Sequence, residues 1–208
     1  MTRRASDPEL LVLHAVRLKG MADVQTVAAR FGLDQAMADE LLLDYQAYGW
    51  VTWSEFAGTG GWSLTPAGRA ENERRLAIER KDAGDAVLRE VYQEFLPLNA
   101  RLQQACTDWQ LRPSEDDPMA FNDHTDRAWD ARVVKTLTAL SVRLGELVTR
   151  LSGVLERLGG YDERFAAALG RVPRDNTWVD GSGKDSCHAV WFELHEDLIA
   201  TLGVERGG

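Results

Sequence analysis

The sequence predicts a mainly α fold in two parts, with short helices and one β-hairpin before residue 80 and long helices after it. Apolar residues recur every three or four positions along most of the chain, which is the period of an α-helix. The period changes to two only around Val51–Trp53 and Trp62–Leu64, which indicates a pair of strands. A chain of 208 residues, 44% of them hydrophobic, can bury one large core or two small ones.

Three short helices are predicted before the strands. The first lies between residues 7 and 20, and the second runs over Val24–Phe31 and ends at Gly32. Asp34 is a suitable N-cap for the third helix. We expect the apolar face of the third helix to consist of Met37, Leu41, Tyr45 and Tyr48. A tight glycine turn between the second and third helices makes them a helix-turn-helix arrangement.

The strands are predicted to form a hairpin that leads into a charged helix. The glycine-rich run Ala57–Gly61 separates the strands and is expected to be the hairpin loop. Thr65 then suits the N-cap, and Pro66 the first helical position, where its missing N–H breaks no hydrogen bond.

The second half shows longer helical periods. One helix is predicted from Val87 to Trp109, followed by a proline-containing, acidic loop over residues 112–123. The strongest period predicts one continuous helix over residues 128–158. Its leucines and valines, which we call the seam, recur at steps of four and three: Val133, Leu137, Leu140, Leu144, Leu147, Leu151, Val154 and Leu158. We expect the seam to be buried in a helical bundle, with a dimer contact as the alternative.

The chain is predicted to end in a short helix, a polar loop and a final helix. Gly159 and Gly160 end the long helix, and the short helix follows over residues 162–170. The apolar face of the final helix comprises Cys187, Trp191, Leu194, Leu198 and Leu202.

The order of elements in the first half resembles the winged helix-turn-helix domains of MarR-like bacterial transcription regulators. The resemblance covers about residues 8–80 and is carried by Phe31–Leu33, by the spacing from Leu41 and Tyr45 to Gly49–Val51, and by the run Leu64–Arg69. It implies a winged domain over residues 1–80, with three helices and a two-stranded wing, and a helical sensing and dimerisation domain over residues 81–208. The second half is faintly similar to companion proteins of phosphoenolpyruvate-utilising enzymes in actinobacteria, a similarity that assigns no residue.

The resemblance implies a one-component transcription regulator, in which the helical domain senses a ligand or partner and the winged domain binds DNA as a homodimer. The alternative is a winged-helix interaction or accessory module that has an acidic surface and does not bind DNA. We expect no enzyme and no cofactor, because the sequence contains no GxSxG motif, P-loop, dinucleotide glycine fingerprint or HExxH motif. Two cysteines without CxxC spacing, no membrane span and no signal segment favour a cytoplasmic location.

Charge argues against DNA binding. The net charge is -9, and the third helix contains no Lys or Arg, whereas Asp34, Asp39, Glu40 and Asp44 lie on it or cap it. If DNA is bound, the contacts must come from a small peripheral set: Gln35, Gln46, Arg30, Arg69, Arg17 and Lys19.

Two groups of residues in the second half are candidates for a ligand or anion site. The histidines are His124, His188 and His195. The last two lie seven residues apart, ~10.5 Å along a helix, a poor spacing for one metal ion, so no metal is expected. The arginines lie beside the seam: Arg143, Arg150 and Arg157. They either pair with carboxylates such as Glu90, Glu94 or Asp108, which we favour, or line a cleft for an anion.

Overall fold

The computed structural model describes residues 4–56 and 58–204, and the fold over these residues is mainly α. It contains eight α-helices and one two-stranded antiparallel sheet in this part of the chain. Ala57, in the predicted hairpin loop, lies outside the described residues.

The first six elements run in the predicted order. They are α1 Pro8–Lys19, α2 Val24–Phe31, α3 Gln35–Ala47, β1 Val51–Phe56, β2 Thr59–Leu64 and α4 Pro66–Ala83. Four more helices follow, of which the first two are the longest described: α5 Ala86–Gln110, α6 Arg127–Ser152, α7 Tyr161–Arg171 and α8 Cys187–Leu202. Two short 3-10 turns lie at Glu156–Leu158 and Asn176–Trp178.

The chain divides into two compact units. The first unit contains the residues up to Asp85, the segment Val154–Arg157 and the residues from Glu196 onward. The second unit contains Ala86–Gly153 and Leu158–His195. The first unit therefore combines segments from three parts of the sequence.

Side-chain caps explain where the helices of the first unit begin. Asp7, Asp23, Asp34 and Thr65 each accept a hydrogen bond from a backbone N–H in the first turn of their helix. These caps confirm the predicted starts of the third helix at Asp34 and of the charged helix at Thr65.

The predicted apolar face of α3 is wrong in part. Tyr45 is buried, but Met37 and Leu41 are only half-buried and Tyr48 is exposed. The residues of α3 that join the core are Ala38, Leu42 and Tyr45. Three consecutive leucines at positions 41–43 make two neighbouring stripes equally apolar, so the period alone could not select between them.

The hairpin pairs Val51 with Leu64 and Trp53 with Trp62. The predicted loop is too long, because Thr59–Gly61 belong to β2. A Cβ atom at Gly60 would lie 2.4 Å from the indole ring of Trp53, so a glycine in the strand is required for this ring to cover it.

The seam is buried within a single chain. Its residues in α6, from Val133 to Leu151, are at most 4% exposed, and α6 packs against α5 and α7. The helical-bundle prediction therefore accounts for these leucines, and the dimer-contact alternative has no exposed leucines to use. The apolar face predicted for α8 is likewise buried in full.

The predicted helix over residues 128–158 is too long. Helix α6 ends at Ser152, and Gly153 is its C-cap. The following backbone pairs instead with Arg4, whose N–H donates to the Val154 carbonyl and whose carbonyl accepts from the Glu156 N–H. Within the described residues, no helix has both the length and the hydropathy needed to span a membrane.

Candidate functional site

One side of α3 faces solvent and is acidic. We call this surface, formed by Asp39, Glu40, Leu43, Asp44 and Tyr48, the α3 face. Helical spacing places these residues on one side of the helix. Leu43 is 54% exposed and Tyr48 is 65% exposed, and α3 carries no Lys or Arg. Such a surface attracts cations and repels phosphate groups.

The cations expected to contact DNA have other neighbours. The Arg17 side chain is only 5% exposed and pairs with Glu73 and Glu196, each at 3.0 Å. The Arg30 guanidinium lies 4.4 Å from the centre of the Phe31 ring. Arg69 is half-exposed but lies 3.8 Å from Glu196.

The remaining predicted contact residues lie at the ends of helices. Lys19 is half-buried in the last turn of α1. Gln35 and Gln46 are exposed near the two ends of α3.

The three candidate histidines have different neighbours. His124, with a positive φ of 59°, places Nδ1 3.1 Å from the Asp130 carboxylate. His188 is exposed and lies beside Phe192. His195 is half-buried between the rings of Tyr92 and Phe95. In the described part of the chain, no three His, Cys, Asp or Glu side chains form a group that could bind a metal ion.

The arginines beside the seam do not form one stripe. Arg143 is exposed and pairs with Glu146 in the next turn. Arg150 pairs with both Glu90 and Glu94 of α5, which confirms the expected pairing for this residue. Arg157 lies beyond the end of α6, in the part of the 3-10 turn that belongs to the first unit. Arg157 does not continue the line of Arg143 and Arg150 because α6 ends at Ser152.

Arg157 belongs to a buried polar cluster in the first unit, which we call the His14 network. Its members come from α1, α4, the 3-10 turn and the last part of α8: His14, Asn72, Glu79, Arg157, Asp197 and Thr201. All six residues are at most 6% exposed.

Arg157 is the centre of the network. Its Nε donates to the Glu79 carboxylate at 2.9 Å, and another guanidinium nitrogen donates to the Thr201 hydroxyl at 2.8 Å. The guanidinium also pairs with Asp197. A guanidinium has five N–H donors in a plane, so it can bond two carboxylates and a hydroxyl together.

His14 lies between Asp197 and Asn72. Its Nε2 is 3.0 Å from the Asp197 carboxylate, and its Nδ1 is 3.3 Å from Asn72 Oδ1. Burial lowers the pKa of His14, an effect that Asp197 partly opposes. Arg157 and His14 hold the pKa of Asp197 far below its usual range despite burial. Asp197 is therefore ionised and His14 neutral near pH 7.

Of the six members, the sequence analysis selected only Arg157 as a site residue and did not select the other five: His14, Asn72, Glu79, Asp197 and Thr201. Two signals were present. His14 lies within the mostly apolar run from Leu10 to Leu18, and Asp197 and Thr201 lie one turn apart among the apolar residues of α8. Polar residues at core positions of a helix indicate a buried polar partner.

A groove in the second unit lies between α5 and α6. Its volume is about 360 Å³, and Arg101, Gln104, Trp129 and Arg132 line it. Arg132 lies over the Trp129 ring at 4.9 Å. Asp108 also lines the groove and accepts from the Gln104 amide at 2.7 Å, so the lining combines two cations with a carboxylate and shows no clear preference for an anion. Cys106 and Cys187, by contrast, are buried thiols whose pKa burial raises to about 12, which makes them unreactive.

No family model, no curated protein and no solved structure was found to match this chain.

Proposed function

We propose that the first unit is a winged helix that binds a basic protein segment through the α3 face. The observation that carries the proposal is the exposure of Leu43 among Asp39, Glu40 and Asp44, on a helix without a cation. A segment with Lys or Arg beside an apolar side chain complements this surface in both charge and hydrophobicity.

The order of elements supports the winged-helix arrangement. Helices α2 and α3 are joined by a turn through Gly32 and Asp34, and a two-stranded hairpin and a charged helix follow them. In domains of this kind the second helix of the helix-turn-helix is exposed for recognition. By this analogy, the exposed side of α3 is the surface that should contact the binding partner.

Electrostatics favours protein over DNA as that partner. Seating α3 in a major groove would bring three carboxylates close to a dense row of phosphates. Arg17, one of the expected DNA contacts, is already paired, so it could not offset this repulsion without giving up Glu73 and Glu196.

DNA binding by a one-component regulator is the second candidate. Gln35 and Gln46 are exposed on α3, and their amides are of the kind that reads adenine in a major groove. In this case the groove between α5 and α6 would hold the sensed ligand.

Two sets of probes distinguish these candidates. We would measure the fluorescence anisotropy of labelled helical peptides of about twelve residues that carry Lys and Leu, and of the same peptides with Glu in place of Lys. A labelled random-sequence DNA duplex is measured in parallel at low and high salt. We expect micromolar binding of the Lys peptides, no binding of the Glu peptides and no binding of DNA.

Substitutions locate the binding. Reversing charge with Asp39→Lys and Glu40→Lys should weaken peptide binding by about tenfold or more and create affinity for DNA. Leu43→Ala should weaken peptide binding without affecting DNA. The matched control is Glu115→Lys with Asp116→Lys, which makes the same change in net charge in an exposed loop of the second unit. Tight, steeply salt-dependent DNA binding by the unchanged chain would overturn the proposal and favour the regulator.

We also propose a homodimer, which must use surfaces other than the buried seam. Val142 on α6 and Phe192 on α8 are 64% and 47% exposed and are available for such a contact. Sedimentation should show a species of twice 23.2 kDa, and a monomer at all concentrations would exclude it.

A further inference from the structure

A second candidate site lies in the first unit and shares no residue with the α3 face. It is a cavity of about 380 Å³ between the start of α1 and the middle of α4, which we call the α1–α4 cavity. Its walls include Arg4, Ser6, Leu10, Arg75, Ile78 and Glu79. This volume lies within the range of small-molecule sites.

Two residues that line the cavity each have a buried polar atom without a hydrogen-bond partner among the described residues. These atoms are the Oε1 atom of Glu79 and the hydroxyl oxygen of Ser6. The Glu79 side chain is only 6% exposed, and its other carboxylate oxygen accepts from Arg157. A buried acceptor without a donor is costly, so the cavity offers a place for a donor.

The arginines of the wall are already paired. Arg4 pairs with Asp82 at 3.0 Å. Arg75 pairs with Glu9 at 2.9 Å and with Glu71 at 2.7 Å. Arg74 also pairs with Glu71 and, through that hydrogen bond, lowers the pKa of Glu71 to about 2. An anion would have to break these pairs, whereas a cation would leave them intact.

Glu79 has no cation to itself. Its partner Arg157 is shared with Asp197, which is fully buried. Arg30 also acts on Asp197, whereas Glu79 has only its share of Arg157 among the described residues, and Glu79 lines the cavity. A second cation placed there would improve the charge balance of the His14 network.

We propose that the α1–α4 cavity binds an aliphatic primary ammonium group. Its three N–H donors suit the free oxygen of Glu79 and the Ser6 hydroxyl, while its carbon chain packs against Leu10 and Ile78. The group belongs either to a small free amine or to a lysine side chain of a peptide.

The test uses the full chain and two probes. n-Butylammonium represents the free amine, and Nα-acetyl-lysine methylamide represents the peptide. ¹H–¹⁵N correlation spectra should show saturable shifts of the Ser6, Leu10 and Glu79 amides with a Kd of about 1–10 mM. The neutral analogues n-butanol and Nα-acetyl-norleucine methylamide should bind at least about tenfold more weakly.

Variants connect the binding to the two free acceptors. Ser6→Ala leaves the His14 network intact and should weaken the ammonium affinity by about three- to tenfold. Glu79→Gln should abolish saturable binding, and its circular dichroism shows whether the fold is kept. Glu55→Gln, a carboxylate of β1 outside the cavity, is the matched control and should bind as the parent does.

Each outcome of these titrations either supports the ammonium-binding proposal or overturns it. Saturable binding of only one probe supports the proposal and identifies the source of the ammonium group. The proposal is wrong if neither probe saturates, if the neutral analogues bind equally well, or if butanoate binds in preference. It is also wrong if the shifts spread over the acidic surface and Ser6→Ala leaves them unchanged. None of these results depends on the α3 face.

Discussion

Replacing Arg157 with Met tests whether the His14 network holds the first unit together. The substitution keeps most of the side-chain volume but removes the only cation that faces Glu79 and Asp197 within the network. Glu79 would then lie buried without its counter-charge, Asp197 would lose the guanidinium with which it pairs, and Thr201 would lose the Arg157 donor. Removing one partner of a buried ion pair costs about 3–5 kcal/mol, which is comparable to much of the stability of a small domain.

The assay is urea unfolding at pH 7, followed by both far-UV circular dichroism and tryptophan fluorescence. Because the chain has two compact units, unfolding can show two transitions, and the one to analyse is the transition whose urea midpoint the substitution changes. We expect Arg157→Met to lower the free energy of unfolding of this transition by about 3–5 kcal/mol.

Two further variants make the result specific. Arg143→Met removes an exposed ion pair with Glu146 and should change the stability by less than about 1 kcal/mol. Combining Arg157→Met with Glu79→Leu and Asp197→Leu removes the orphaned charges as well, and should restore most of the loss. A loss below about 1 kcal/mol for Arg157→Met alone would refute the claim that this arginine holds the buried charges.

The other predictions concern single positions and use the same unfolding assay. Leu147→Ala should lower the free energy of unfolding by about 2–5 kcal/mol, because Leu147 is 1% exposed, whereas the exposed Val142→Ala should not. Burial lowers the pKa of His14, so below pH 6.5 the unfolded chain binds more protons than the folded chain. The free energy of unfolding should therefore fall as the pH drops below 6.5, by at most ~1.4 kcal/mol per pH unit, and His14→Gln should remove this part of the pH dependence. Gly68→Ala places a Cβ 1.9 Å from the Trp50 carbonyl oxygen and should cost about 1–3 kcal/mol, whereas Gly170→Ala, with open space around its Cβ, should be neutral or stabilising. Equal losses of stability for Leu147→Ala and Val142→Ala, or for Gly68→Ala and Gly170→Ala, would contradict the packing described above.

Local rules predicted most of the elements. Caps such as Asp34 and Thr65 act on the backbone of their own helix, so their effect can be recognised from a few neighbouring residues. The seam was recognised for a similar reason, because one face of a long helix repeats its apolar residues. The Arg150 pairing followed from the same helical geometry once α5 was expected to pack beside α6.

The errors occurred where distant segments decide the local structure. The period of α6 continues through Val154 and Leu158, and both residues are buried, yet the backbone leaves the helix after Ser152. Pairing of residues 154–156 with Arg4 competes with further helical turns, and the sequence near Leu151 contains no sign of a partner about 150 residues earlier. Likewise, the inward stripe of α3 depends on which of three adjacent leucines meets the core.

The candidate sites show the same division between local and distant effects. The acidity of the α3 face could be predicted, because the charges and their helical spacing lie in one short segment. The His14 network could not, because His14 and Asp197 are 183 residues apart and a single histidine in an apolar helix has several possible partners. The α1–α4 cavity depends on this network, since the oxygen of Glu79 that faces Arg157 is fixed by residues that follow α6. The first 85 residues alone would lack both Arg157 and Asp197, so His14 would keep only Asn72 of its hydrogen-bond partners in the network and neither oxygen of Glu79 would be bonded to a cation. The residues that make the cavity attractive to an ammonium group are therefore supplied by segments far apart in the sequence, whereas the α3 face is complete within a single helix.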